Sequence, residues 1–285
     1  MQKKFFKLFL LIGIFLFAIL VFSFKVFYNP ERKLEVDFLD VGQGDSILIE
    51  APDGQNILID GGPNSRVVER LSEVLPPWDK QIDLMILSHP HDDHVSGLVQ
   101  VINRFDVKKI LYTGVNHDSP NYIAWLEAVK EKKIPMIIID RPQTIKLGDY
   151  CRLEILYPLE SFLNKEVENL NNTSIVAKLV YGNTSFLFTG DAEEPEEKEI
   201  LESGVDLSAD VLKIGHHGSD TATGEEFLKA VSPEIAVIEV GKDNDFGHPS
   251  LRTIKKLERI KADIFRTDEK GTIRFISNGS VISQR

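Results

Sequence analysis

The sequence cannot form an intrachain disulfide, because Cys151 is the only cysteine among its 285 residues. Cys151 lies in a stretch of alternating apolar residues, which is typical of a small core side chain. The chain is also poor in positive charge, with 33 lysines and arginines against 44 acids and a formal charge of −11. Six cations and one acid give residues 1–33 a charge of +5, which leaves −16 for the rest. Because nucleic acid is held largely by cations on its phosphates, tight non-specific DNA binding is not expected.

A long uncharged run occurs only at the N-terminus. Three lysines precede residues 8–24, which contain no charge and no proline. With its apolar flanks, the run approaches the ~20 residues that span a bilayer core. It ends without a small-x-small cleavage site, so we predict an uncleaved anchor rather than a cleaved, secretory signal peptide. The predicted organisation is a single-pass membrane anchor and linker over residues 1–33, followed by one extracytoplasmic domain over residues 34–285.

The rest of the chain alternates between strand-like and helix-like patterns. Strand-like segments fill residues 34–60, and strands then alternate with helices; the second half repeats this order from Cys151 onward. This order of strands and helices, which occurs once in each half of the chain, predicts an α/β fold of four layers, αββα, with two sheets sandwiched between helices. The predicted helices cover residues 66–75, 95–105, 122–132, 192–202, 223–230 and 250–260.

Three of the seven histidines lie together in residues 89–94, directly after a predicted buried strand. His89 and His91, two residues apart, can face one metal ion, and Asp93 and His94 can face a second. Neutral imidazole and carboxylate suit zinc and, less strictly, manganese or iron. The alternative is a polar surface loop in which histidines happen to cluster.

Other candidate ligands also follow predicted strands. His216 and His217 form one pair, and His248 lies after the next strand. Asp191 ends the strand that precedes them, where its two oxygens can each take one metal ion or its side chain can cap the next helix. Two bridged ions about 3.5–4 Å apart lower the pKa of a water towards ~7 and polarise the scissile group. His117 is the exception, and we interpret it as a surface loop residue rather than a substrate contact.

Several motifs resemble those of a known family. Residues 89–94 match the H-x-H-x-D-H signature of the metallo-β-lactamase superfamily, and residues 58–62 resemble its first motif, whose aspartate, here Asp60, supports the histidine loop. Residues 38–46, 188–193 and 212–219 are similar to the extracellular hydrolase domain of ComEC/Rec2-like competence proteins. The resemblance covers residues 34–280. It implies an αββα sandwich and a metal-dependent hydrolase with one or two ions.

Two departures from that family matter. Its competence members carry a large polytopic channel, whereas this sequence has one candidate span, so a separate channel protein is a possible partner. Many members of the superfamily also place a ligand histidine between the first motif and the bridging aspartate. No histidine lies between His117 and Asp191, and Asn171 and its neighbours occupy that place.

The resemblance implies two ligand sets. One metal is expected on His89, His91 and His216, the other on Asp93, His94 and His248, with Asp191 bridging them. Asp93 and His217 are expected to be catalytic, His217 through contact with substrate or proton transfer. The sequence does not decide which of His216 and His217 binds metal. For Lys213 we favour a strand-core or surface stem over an anion contact.

The preferred function is hydrolysis of phosphodiester-type bonds, in DNA or in the cell envelope, by a metal-bound hydroxide. The first alternative is hydrolysis of a lactone, a carboxylic ester or a choline-phosphate ester, because the same metals serve carbonyl chemistry. The second alternative is a non-catalytic surface protein that retains the metal site. Loss of ligand residues would indicate that role, and nearly the whole set is present.

Overall fold

The computed structural model describes residues 12–19, which are helical, and residues 33–285. Contacts divide the chain into two units, Met1–Arg32 and Lys33–Arg285. Within the described ranges, no helix is both long enough and apolar enough to cross a membrane. The predicted anchor lies outside the described residues except for residues 12–19.

The first sheet contains eight strands. They are β1 (Leu34–Phe38), β2 (Ile47–Glu50), β3 (Asn56–Ile59), β5 (Leu84–Ile86), β7 (Ile110–Tyr112), β8 (Met136–Ile138), β16 (Ile273–Ser277) and β17 (Ile282–Gln284). Their order is β17-β16-β1-β2-β3-β5-β7-β8. The β3, β5, β7 and β8 strands are parallel, so their carboxyl ends meet at one edge of the sheet.

The second sheet contains seven strands. They are β9 (Gln143–Leu147), β10 (Cys151–Tyr157), β11 (Val176–Tyr181), β12 (Thr184–Phe188), β13 (Val211–Lys213), β14 (Ile235–Ile238) and β15 (Asp263–Arg266). Their order is β15-β14-β13-β12-β11-β10-β9, and β12 to β15 are parallel. A separate two-stranded ladder pairs β4 (Gln81–Ile82) with β6 (Asp106–Val107).

Helices cover the outer face of each sheet. They are α1 (Arg66–Val74), α2 (Asp92–Arg104), α3 (Pro120–Lys132), α4 (Glu194–Ser203), α5 (Glu225–Val231), α6 (Leu251–Ile260) and α7 (Thr267–Lys270). One apolar cluster joins α1, α2 and α3 to the first sheet, and another joins α4, α5 and α6 to the second. These contacts confirm the predicted α/β architecture of two sheets between helices.

The two sheets face each other across a third apolar cluster, to which both contribute. Four phenylalanines form its centre: the ring of Phe38 lies 6.2 Å from that of Phe188 and 6.1 Å from that of Phe275, and Phe186 lies 6.5 Å from Phe275. Truncating a buried phenylalanine costs about 3–5 kcal/mol. The strand ends that carry the polar motifs are therefore held on a rigid base.

The largest local difference from the sequence prediction concerns α2, which begins at Asp92 rather than at residue 95. Asp93 and His94 thus lie in the first helical turn, where carboxylates are favoured by the helix dipole. The first two turns of α2 pack closely on the segment after β3: Gly61 N–H donates to the carbonyl of His94 at 2.8 Å, and Gly97 N–H donates to the carbonyl of Gly62 at 3.0 Å. A Cβ at Gly97 would lie 1.9 Å from the carbonyl oxygen of Gly61, so only glycine permits this approach.

Candidate metal centre

The polar motifs meet where the carboxyl ends of parallel strands from both sheets come together. Asp60 and Ser88 follow β3 and β5 of the first sheet, and Asp191 follows β12 of the second. His216 and His217 follow β13 in a tight 3₁₀ turn, Gly215–Gly218, in which both histidines have positive φ, 47° and 52°. The fold thus collects residues that are more than 150 positions apart.

Four side chains form the centre of the site, and we call them the quartet: Asp93, His94, Asp191 and His217. One ligand atom from each lies within 4.8 Å of the others. Asp191 Oδ2 is 3.3 Å from His94 Nε2 and 3.4 Å from His217 Nε2. Asp93 Oδ2 is 3.1 Å from His217 Nε2. Two imidazoles and two carboxylates therefore converge on one point.

The far nitrogens of the two quartet imidazoles are held by other groups. His94 Nδ1 lies 2.9 Å from Asp60 Oδ2, and Asp60 also accepts hydrogen bonds from the Ser88 hydroxyl at 2.6 Å and backbone N–H at 2.8 Å. His217 Nδ1 lies 2.9 Å from the Glu239 carbonyl oxygen. Such partners fix the ring orientation and direct the opposite nitrogen, Nε2, to a metal.

Lys213 lies at the base of the site with its ammonium fully buried. Nζ forms an ion pair with Asp45 and donates to the Gly190 carbonyl at 2.8 Å. It also lies 3.7 Å from Asp191 Oδ1. Asp191 therefore presents Oδ2 to the imidazoles and Oδ1 towards a lysine. Lys213 is thus a buried strand residue, in agreement with the strand-core interpretation, and its charge is paired inside the site.

The directions of the pKa shifts indicate that the carboxylates of this cluster favour positive charge on its imidazoles. Burial alone lowers the pKa of the His94 and His217 imidazoles, but the surrounding carboxylates, Asp191 first, outweigh it and raise both pKa values well above the usual range. Burial raises the pKa of Asp191, yet the two imidazoles hold that pKa well below its usual value. Two protons or one divalent cation would supply the same charge to the quartet, and metal binding would release those protons.

The quartet fits a divalent cation by its chemistry. Among the described residues, His94 Nε2 and Asp191 Oδ1 are buried polar atoms without a hydrogen-bond partner, and such atoms are rare unless an ion or water satisfies them. Imidazole nitrogen and carboxylate oxygen are ligands for zinc, manganese and iron. Burial and fixed rings favour a defined coordination geometry.

His89 and His91 lie beside the quartet. His89 Nε2 is 3.1 Å from His91 Nδ1 and 3.9 Å from Asp191 Oδ2. Burial, followed by the charge of His94, holds the pKa of His89 well below its usual range. A neutral imidazole is the form that binds metal. These two histidines and Asp191 thus provide ligands for a second ion next to the first.

The two neighbouring histidines, His216 and His217, lie differently relative to the quartet. His217, expected to contact substrate, lies in the quartet. His216, expected to bind metal, is partly exposed and has Nδ1 3.1 Å from Glu193 Oε1 and 3.4 Å from Asn171 Nδ2. His248, expected beside Asp93 and His94, is also outside the quartet, with its ring 5.7 Å from that of His216. The reason is the left-handed turn at residues 216 and 217, which directs the two neighbours to different sides.

Sequence reasoning missed Asp45, Glu239 and the contribution of Lys213. Asp45 Oδ1 lies 3.2 Å from His217 Nδ1, and Asp45 also pairs with Lys213. Burial and the nearby Asp45 carboxylate raise the pKa of Glu239 well above its usual value. The available signal was the charged residue in each otherwise apolar strand end: Lys213 after Val211-Leu212 and Glu239 after Val237-Ile238.

The partly buried His117 lies in an open groove of about 620 Å³ that also reaches His91. The remaining lining includes three acids, Asp118, Glu166 and Glu168, and no lysine or arginine. The surface of the site next to His91 is therefore negatively charged.

A family model described as the metallo-beta-lactamase superfamily matches residues 39–241. The chain belongs to this superfamily. The predicted resemblance to it and to competence proteins is confirmed, and so is the prediction of a metal-dependent hydrolase of this superfamily.

Similar proteins include several competence proteins. ComE operon protein 3 of Bacillus subtilis is 31% identical over 271 residues, which cover 88% of this chain and 34% of that protein. Competence protein ComA of Neisseria gonorrhoeae is 28% identical over 284 residues, 96% of this chain and 37% of that protein. Recombination protein 2 of Haemophilus influenzae is 28% identical over 266 residues, 92% of this chain and 31% of that protein. The chain spans about a third of the length of these relatives.

Two solved structures share the fold. CmlA, a diiron beta-hydroxylase from Streptomyces venezuelae, has a TM-score of 0.53 at 16% identity and covers 84% of this chain and 53% of its own. A putative metal-dependent hydrolase from Parabacteroides distasonis has a TM-score of 0.50 at 16% identity, over 82% of this chain and 93% of its own. At this identity the likeness concerns the fold alone.

Proposed function

We propose that the chain is a membrane-anchored, extracytoplasmic, metal-dependent hydrolase that cleaves phosphodiester-type bonds. The observation that carries this proposal is the quartet, because its converging ligands and unpartnered buried atoms suit a catalytic cation. The similarity to competence proteins supports a phosphodiester substrate. The apolar run at residues 8–24 supports the anchor over residues 1–33, with the hydrolase over residues 34–285.

In this proposal the quartet would hold the first ion, and His89, His91 and Asp191 would provide ligands for a second. Zinc fits the imidazole-rich donors, and manganese fits the carboxylates. When bound, such ions supply Lewis acidity to the scissile group and lower the pKa of a water. His217 is then a metal ligand rather than the predicted substrate contact, and Asp93 acts through the metal it holds.

The chain's own residues orient this chemistry. Asp60 and the Glu239 carbonyl hold the far nitrogens of His94 and His217, so neither ring can turn away. His216 lies at the opening of the site, and its Nδ1 is engaged by Glu193. Its Nε2 is therefore the nitrogen that faces away from Glu193 and can contact the leaving group.

The acidic groove beside His91 favours a second candidate function. Asp118, Glu166 and Glu168 would attract a cationic group and repel a long polyanion on that side. A choline-phosphate ester has both the cation and a phosphodiester, and lactones or carboxylic esters use the same metals. If the substrate is DNA, we propose a membrane channel protein as a partner of this hydrolase.

A substrate panel tests the proposal with the full chain loaded with zinc or manganese. We expect turnover of bis-nitrophenyl phosphate at least about tenfold above that of nitrophenyl acetate and a lactone, measured as kcat/KM. Turnover of nitrophenyl phosphorylcholine above that of bis-nitrophenyl phosphate would favour the second candidate. Lactone or ester turnover without phosphodiester turnover would contradict the proposal.

A further inference from the structure

The first sheet has a second edge, opposite to the one that carries the metal centre. The amino ends of its parallel strands meet there. We call this the lower edge, and it consists of residues 33, 51–55, 76–83, 104–109, 130–135 and 278–281, which precede the strands or join them. The sheet has eight strands, and at about 4.8 Å between neighbours the lower edge is about 34 Å long. None of the quartet residues belongs to it.

The polypeptide enters the sheet at the lower edge. Glu35 of β1 and Asn56 of β3 both pair with Glu50 of β2. The start of β1 therefore lies two strands, about 10 Å, from the start of β3. The anchor proposed for residues 1–33 is thus joined by the backbone to the lower edge, and not to the edge that carries the metal centre.

An exposed tryptophan lies at the lower edge. Trp78 is 85% exposed and directly follows Pro76 and Pro77. The next residue, Asp79, donates its N–H to the Pro76 carbonyl at 2.9 Å and accepts a hydrogen bond from Asn56 Nδ2 at 3.0 Å. Two prolines and these hydrogen bonds hold the turn against the start of β3, so little entropy is lost when the indole meets a partner. Indole rings are enriched where a membrane meets water.

The lower edge is positively charged although the domain is acidic. Its segments contain eight cations and five acids, a charge of +3, whereas residues 34–285 together carry −16. Lys80, Lys109 and Lys133 are exposed. In the part of the chain that the structure describes, none of these three lysines has an ion pair. Anionic lipid headgroups attract lysines of this kind.

We propose that the lower edge docks on the surface of an anionic phospholipid bilayer, with Trp78 in the interfacial layer and the three lysines on lipid phosphates. The inference rests on the proposed anchor and assigns the face of the domain that lies on the membrane. One apolar segment together with a basic patch is a combination that holds proteins stably at membranes. A protein partner could also cover Trp78, but the positive charge and the entry of the chain at the same edge favour lipid. The metal centre then faces away from the bilayer.

The chain contains two tryptophans, which makes the contact measurable by fluorescence. Trp125 is fully buried beneath α3 and cannot meet lipid, so it is the internal reference. The full chain is reconstituted in vesicles of phosphatidylglycerol and phosphatidylcholine whose acyl chains carry bromine, which quenches indole emission. We expect bromolipid to quench wild type at least about fivefold more than Trp78→Phe, because only Trp78 reaches the interface.

The charge of the lower edge is tested in the same vesicles. Lys80→Gln/Lys109→Gln is expected to reduce the quenching by bromolipid at least about twofold, towards the value in phosphatidylcholine alone. Lys242→Gln/Lys255→Gln removes two exposed lysines that lie outside the lower edge, and this matched control should leave the quenching unchanged.

Four results would overturn the inference. Trp78 lies in water if acrylamide, a water-soluble quencher, reaches it and bromolipid does not. It is covered by protein if neither quencher reaches it. Equal quenching of the two lysine variants would contradict the contribution of charge, and a chain that does not sediment with the vesicles would refute the anchor as well.

The same samples separate this inference from the proposed hydrolysis. Quenching by bromolipid in a chain that hydrolyses no phosphodiester would refute the hydrolysis and retain the membrane contact. An active, vesicle-bound chain whose Trp78 is not quenched by bromolipid would retain the hydrolysis and refute the contact.

Discussion

Asp191→Asn is expected to lower kcat/KM for bis-nitrophenyl phosphate by about a thousandfold or more. Asp191 Oδ2 is the atom nearest to both quartet imidazoles, at 3.3 and 3.4 Å, and it also faces His89. An asparagine keeps the shape but removes the charge that holds a cation there. The Lewis acidity of a metal is worth several kcal/mol, and ~4 kcal/mol corresponds to about a thousandfold in rate.

The matched control for this substitution is Asp92→Asn. Asp92 is exposed and is the first residue of α2, next to Asp93 of the quartet, and its carboxylate accepts a hydrogen bond from Ser119. We expect its kcat/KM to remain within about twofold of wild type. Circular dichroism of both variants should show a folded chain. Wild-type turnover by folded Asp191→Asn would mean that the quartet is not the catalytic centre.

Lys213→Met is expected to lower the free energy of unfolding by about 3–5 kcal/mol, because it leaves the buried Asp45 carboxylate without its cation. The side chains of Lys213 and Asp45 are almost fully buried, so water cannot replace the lost partner. The loss is measured by urea denaturation of the full chain. Asp45→Asn/Lys213→Met, which removes both charges, should recover about half of it or more, since the two sites are directly coupled.

Lys178→Met is the comparison, because Lys178 is a buried lysine whose ion-pair partner is exposed. Lys178 is also buried, but its partner Asp206 is 73% exposed and can be rehydrated. Pairs of this type contribute about 0–1 kcal/mol, so the expected loss is correspondingly small apart from packing changes. Equal losses for Lys178→Met and Lys213→Met would contradict a special electrostatic contribution of Lys213 at the base of the site.

Much of the site follows from the sequence because its residues come after apolar strands. His89 and Asp191 each lie just beyond the carboxyl end of a parallel strand, such ends meet at one edge, and His94 follows in the first turn of α2. Periodicity likewise predicts the two sheets and their covering helices. Short elements such as β4 and β6 were missed, because two residues carry no periodic signal.

The sequence could not decide whether His216 or His217 binds metal, because the backbone conformation determines where each side chain points. Both follow the same strand and both have positive φ, so the direction of each side chain depends on a strained turn rather than on spacing. The ion pair of Lys213 was not predicted because the last position of a three-residue strand gives no sign of what its side chain faces. Its partner, Asp45, is 168 positions away, and only the packing of one sheet against the other brings them together.

The contribution of each of those two histidines to metal binding can be measured by calorimetric titration of the full chain with Zn²⁺. The titration compares wild type with His217→Ala and His216→Ala. If the quartet is the metal centre, wild type binds at least one ion, and His217→Ala weakens its tightest site by at least about tenfold. His216→Ala should leave that site within about twofold. Absence of zinc binding by folded wild type, or a larger loss in His216→Ala than in His217→Ala, would contradict the account.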